Sequence, residues 1–240
     1  HFGGVELHNL HQQSALTERG GAFHKYNIMA TARELREKKL HVPCLDTSCD
    51  LATDDCTNVL ATLMAIAHDI GCPYVSAQVM HDDEQVVYDR LHILLPIAEK
   101  NQVTLLIKTK GIYADTERLR AVLDNFASDQ LGALWNAHRT YRDRGETADI
   151  TIKNLGAYVC HVHLCDSDDN GSYNIIGEGT LPVDEVMRAL SSVDYDGFLS
   201  LVWMPEWMPD LDDRDVIFPH FVNYMNRFEN PRGKRKALYD

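Results

Sequence analysis

The chain has 240 residues, 45% apolar and 25% charged, enough for one large domain with a deep core. Its formal net charge of −13 argues against nucleic acid as a partner, because phosphate binding needs a basic face. No apolar run approaches the ~18 residues of a membrane span, no secretory signal is read at the start, and the six cysteines include no C-x-x-C pair, so reduced thiols and a cytoplasmic location are expected.

In chain order, short apolar strands alternate with amphipathic helices. Residues 3–8 read as a strand and 28–39 as a helix. Then come strand 40–46, helix 54–70 with Asp54 or Asp55 as its cap, strand 73–78 and helix 83–100. Strand 103–108, helix 115–127, strand 131–136 and helix 147–155 follow. The series ends with strand 157–164, helix 182–191, strand 197–203 and helix 213–228. The strands are nearly continuous apolar runs, as expected of parallel strands covered by helices. The pattern predicts an α/β fold, a parallel (β/α) TIM-type barrel over residues 1–228 with seven strands visible. Such a barrel normally has eight, so either the first β-α unit lies before His1 or the barrel is open on one side. Residues 229–240 carry basic residues without apolar periodicity and read as a tail or a linker to a further C-terminal domain.

In a parallel barrel the chemistry sits at the C-terminal strand ends. That rule selects Asp46, Gln78, Lys108, Asn136, His163 and Val202. His161 and His163 alternate with period two and share one strand face. Alone, such a pair is more often a hydrogen-bonded core feature than a metal site.

Ordered motifs then carry a resemblance. They are Leu105-Leu-Ile-x-Thr-Lys-Gly111, Ala133-Leu-Trp-x-Ala-His138, Arg144-Gly-Glu-Thr147, His161-Val-His-Leu-x-Asp166, Gly177-Glu-Gly-Thr-Leu-Pro182 and Tyr195-Asp-Gly-Phe-Leu-Ser-Leu-x-Trp203. Gly4-Val-Glu-Leu7 and Ala67-His-Asp-Ile-Gly-Cys-Pro-Tyr-Val75 extend them. Together the chain resembles the xylose isomerase-like barrel superfamily, which includes sugar phosphate isomerases and epimerases and, more distantly, endonuclease IV. The resemblance implies a divalent metal held by a glutamate, an aspartate, a histidine and a glutamate. Carried over residue by residue, these positions are Lys108, Asn136, His163 and Val202, and a frequent second histidine becomes Arg139. Only His163 is a good ligand, so neither a metal nor another cofactor is expected, and metal-dependent isomerisation is disfavoured.

Two readings of Lys108 stand side by side. It could replace the lost cation, pairing with Asp46 or Asp166 in an inactive barrel. Or, desolvated and without the carboxylate that Val202 replaces, it could be a Schiff-base amine for carbonyl chemistry of the retro-aldol type. In the second reading Asn136 hydrogen-bonds the carbinolamine hydroxyl, and His163 or His161 moves protons. Asp46, Gln78, Arg139, Val202 and Trp203 would contact the substrate. Arg142 could share the anion-binding role of Arg139, and Met204, Trp207 and Met208 could join Trp203 in an apolar pocket. Cys165 is a weaker nucleophile candidate, since buried thiols are usually inert. Gly177-Glu-Gly179 reads as a turn rather than a phosphate loop. The expected partner is a small carbonyl or sugar-like molecule, with no nucleic acid and no membrane. At the level of assembly a homodimer or a further C-terminal domain is expected. The frame of kept motifs around changed ligands fits a rebuilt site or a pseudoenzyme; residual isomerase or epimerase activity is the third reading.

Overall fold

The computed structural model describes residues 2–206, 208, 209, 211 and 213–228; the proposed tail at 229–240 and Trp207 lie outside these. Seven parallel strands form one curled sheet in chain order: β1 (Leu7–His8), β2 (Cys44–Asp46), β3 (Tyr74–Val79), β4 (Thr104–Gly111), β5 (Leu131–Asn136), β6 (Val159–Leu164) and β7 (Leu199–Leu201). The expected α/β barrel is therefore present. Eight main helices cover its outer face: α1 (Ile28–Glu37), α2 (Cys56–Ile70), α3 (Glu84–Asn101), α4 (Thr116–Phe126), α5 (Ala137–Arg144), α6 (Ala148–Leu155), α7 (Val183–Ser192) and α8 (Arg214–Met225).

The strands form where β-branched and leucine residues run together, because both faces are covered. Ile107, Leu105, Ala133 and Trp135 point into the large core between sheet and helices. Alternate residues Cys44, Leu106 and Leu134 form a second cluster inside the curl. Period two then carries Asp46, Lys108 and Asn136 up the same inner side. Helix ends follow local chemistry. Asp83, Asp115, Asn136 and Thr147 cap α3, α4, α5 and α6 with their side chains. Asp55 occupies the cap position of α2 but makes no cap hydrogen bond.

Several boundaries differ from the sequence reading. β1 and β7 are short because each edge strand has one paired neighbour, and β4 runs on to Gly111. Helix α5 is an addition to the predicted elements, as is the antiparallel pair Asp166–Ser167 and Tyr173–Asn174. Among the described residues no strand pairing joins β7 to β1. Aromatic rings cover this seam instead. Phe2 lies 5.3 Å from Phe218 and 5.9 Å from Phe221, and His41 lies 5.9 Å from Phe198.

Candidate active site

A cavity of about 540 Å³ opens at the C-terminal ends of the strands. Its lining includes Asp46, Lys108, Asn136, Arg139, His163, Val202 and Trp203, which are five of the six residues the strand-end rule selects and seven of the nine expected site residues in all. The other two sit behind this lining. Gln78 bonds Ser48 O through Nε2 at 3.0 Å and accepts from Lys110. His161, 0% exposed, lies deeper in the curl.

Asp46 organises the floor. Its Oδ1 meets Lys108 Nζ at 2.5 Å and accepts from Ser76 Oγ at 2.6 Å, while Oδ2 faces His8 Nδ1 at 2.6 Å. Asp46 and Lys108 are each only 6% exposed. Burial pushes the Asp46 carboxyl up, but the Lys108 ammonium and the His8 hydrogen bond outweigh it and hold it well below the usual range. Lys108 therefore has a counter-ion despite Val202, the Asp46 partner of the first sequence reading and contrary to the second, which left it without one: Asp46 reaches it across the inside of the curl. Asp166 is not a partner, because its two oxygens accept from the backbone N–H groups of Ser167, Gly177, Gly179 and Leu181. That clamp is the role of the Gly177-Glu-Gly179 turn, with Gly177 at φ 84°.

Beside this pair lies a second charged group. Glu6 Oε1 and Oε2 stand 2.8 and 3.0 Å from His163 Nε2, and Oε2 stands 3.3 Å from His161 Nε2. Burial pushes the Glu6 carboxyl up, yet His163 and His161 hold it well below its usual value. Burial likewise pushes His163 down, and Glu6 outweighs it, so the imidazole is held above its ordinary value. Sequence reasoning missed Glu6, His8 and Lys110. The signal was present: alternation in strand 3–8 puts Glu6 and His8 on one face, and His8 is the last residue of β1.

Other expected roles change. Asn136 spends its Oδ1 on the backbone N–H of Arg139 at 3.1 Å as the α5 cap, leaving its amide nitrogen for a ligand. Arg142 is taken up by Ser167, Asp169 and Thr180, so it holds the Asp166 loop rather than a ligand. Arg139 pairs with Asp143 at 3.6 Å and still lines the cavity. The Cys165 thiol is pushed up to about 12 by burial, which keeps it a thiol near neutrality. Met204 and Met208 join Trp203, Phe198 and Phe221 in an apolar wall.

The family's metal position does not fit a divalent ion in this chain. Lys108 is an ion-paired cation, Val202 has no donor, the Asn136 oxygen is spent and His163 Nε2 faces Glu6. A different group, Glu6, His161 and His163, places three ligand atoms within 4.8 Å of one another. A metal-bound imidazole needs an acceptor for its other nitrogen, and buried His161 Nδ1 has none among the described residues.

The family description "Xylose isomerase-like TIM barrel" matches residues 2–215. Among solved structures, the IOLI protein with a bound zinc atom superposes with a TM-score of 0.76 at 14% identity, covering 95% of this chain and 90% of that one. A xylose isomerase domain protein from Planctomyces limnophilus gives 0.73 at 12% identity over 98% and 89%. Endonuclease IV from Thermus thermophilus gives 0.63 at 17% identity over 92% and 98%. At these identities the likeness is one of fold. No curated protein matches the sequence.

Proposed function

Since this chain belongs to the xylose isomerase-like TIM barrel family, we propose that its mouth binds a small carbonyl or sugar-like compound and uses a β4 lysine, not a metal, to react with it. One observation carries this reading: Lys108 and Lys110 of β4 both line the cavity, Lys108 at the position where the family resemblance implies a metal-ligating glutamate. A neutral lysine amine attacks a carbonyl carbon, the carbinolamine loses water, and the iminium draws electrons from an adjacent C–C bond. Retro-aldol cleavage of a β-hydroxyketone is the reaction this sink serves. In this reading His163, whose imidazole Glu6 holds above its ordinary value, donates a proton, and the Asn136 amide nitrogen and Arg139 hold substrate oxygens. The apolar wall around Trp203 excludes water from the reacting end.

The test is a borohydride trap with a β-hydroxyketone, read by intact mass beside a turnover assay. A single covalent adduct with cleavage products is expected. A ligand that raises the melting temperature, is not turned over and leaves no adduct would make the protein a binding barrel instead; the ionised state of the Asp46–Lys108 pair favours that outcome. A second reading, metal-assisted isomerisation, is favoured only by the Glu6–His161–His163 convergence. Elemental analysis of the purified protein finding about one zinc per chain, lost in Glu6→Gln together with aldose–ketose interconversion, would establish it.

A further inference from the structure

The sequence points to Lys108 as the reacting amine, but the geometry separates two lysines. Lys108 is committed to Asp46. Lys110, two residues on along the same strand, lines the same cavity. Its Nζ donates to the neutral Gln78 Oε1 at 3.2 Å, and among the described residues no ion pair holds it. The backbone explains how both reach the mouth. Between the pairs Ala77↔Ile107 and Val79↔Gly111, β3 advances two residues while β4 advances four. The surplus is a bulge containing Lys108, Thr109 and Lys110 opposite Gln78, and a bulge re-aims side chains off the regular alternation. Gly111, at φ 63°, ends it against Val79 O, where a Cβ would come within 2.2 Å.

The charges around Lys110 act mostly in one direction. Loss of water pushes its amine below the ordinary lysine value, and Lys108 from β4 and Arg139 from α5 push it further down. Asp46 on β2 and Asp143 on α5 oppose them more weakly. Lys108 thus has a second use: neutralised from below by Asp46, it remains a fixed cation beside its neighbour.

We propose that Lys110, rather than Lys108, is the amine that condenses with the carbonyl substrate, with the Lys108–Asp46 pair held beside it unreacted. This rests on the reading above that the mouth takes a small carbonyl compound. The Lys110 lone pair forms the C–N bond while the carbonyl π pair moves to oxygen. The nitrogen loses a proton, the oxygen gains one, and the carbinolamine expels water to leave the iminium. The net reaction takes up one proton from solvent and releases one water, with no change in oxidation state.

The experiment traps the full chain with glycolaldehyde and cyanoborohydride across a neutral-to-alkaline pH series and maps adducts by peptide mass spectrometry. At neutral pH the adduct on Lys110 should exceed that on any other lysine severalfold, since a lowered amine pKa leaves more of the neutral amine. Lys110→Gln should abolish it with the melting temperature unchanged. In the double variant Lys108→Met/Asp46→Asn, which removes both charges together, trapping at Lys110 should persist but move to higher pH. An adduct on Lys108 instead would overturn the Lys110 assignment while leaving amine chemistry at this mouth intact. Adducts spread evenly over surface lysines would remove both the assignment and the carbonyl reading.

Discussion

Asp46 receives an ammonium, an imidazole and a hydroxyl within 2.6 Å while almost wholly buried. A carboxylate so placed depends on its partners. Lys108→Met leaves its charge in the curl with only His8 and Ser76. Removing one member of a buried pair typically costs about 3–5 kcal/mol, and urea unfolding should show a loss of that size. Adding Asp46→Leu removes the orphaned charge, so the double variant should recover most of the loss. Losses that simply add would mean the two groups are not coupled. The same residues allow a reconstruction. Lys108→Glu, Asn136→Asp and Val202→Glu together replace a cation, an amide and an isopropyl group with three carboxylates around His163. Calorimetric titration with manganese or zinc should then show about one ion bound per chain, and none at this position in the unaltered protein. What the sequence showed at this scale was which residues stand at strand ends. It left Asp46 and Asp166 open as partners of Lys108, 62 positions from Asp46, and did not show Glu6–His163, whose members meet across the curl from 157 positions apart.

At the scale of elements, α5 is the most informative. Nothing in its composition has a helical apolar stripe, which is why the segment escaped notice. The signals were at its ends: Asn136 caps it and Gly145 terminates it at φ 65°. Asn136→Ala should cost about 1 kcal/mol of stability through the lost cap alone. If the Asn136 amide also holds substrate, KM should rise beyond what the stability loss explains. The first turn of α5 carries His138, whose ring lies 5.6 Å from Tyr173 and whose Nε2 sits 2.9 Å from Ser167 Oγ. Burial first, then Arg139 and Arg142, push it down to about 4. Between its ordinary 6.5 and about 4 the unfolded chain binds a proton that the folded chain refuses. Stability therefore falls as pH drops through this window, by at most roughly 3 kcal/mol. Unfolding at a series of pH values should show this slope, and His138→Gln should flatten it. The longer elements were readable because burial on both sides of a strand leaves an unbroken apolar run. The bulge in β4 was not readable, since Lys108-Thr-Lys110 before Gly111 looks in sequence like a polar strand end passing into a loop.

At the scale of the whole molecule, alternation of strand and helix was enough to give the barrel and the end at which its cavity opens. The way its edges meet was not, because a seam made of rings leaves no periodic trace. Phe221, 2% exposed, sits in that seam and in the main core together. Phe221→Ala should cost about 3–5 kcal/mol and, since Phe221 also lines the cavity, should change ligand affinity beyond what a remote core substitution of equal cost would change. The rings of Phe2, Phe198, Phe218 and Phe221 also form part of the cavity wall. Elsewhere around the curl, widening the cavity means stretching a backbone hydrogen-bond ladder, which is all-or-nothing. Across the seam it means turning side chains and loosening the Glu6 hydrogen bonds to His163 and His161. The barrel is therefore less a closed hoop than a cuff fastened at one place: where the ladder is missing, rings lie over the gap and the Glu6 hydrogen bonds to His163 and His161 tie the start of β1 to β6 across it, so the fastening and the charged floor are the same residues.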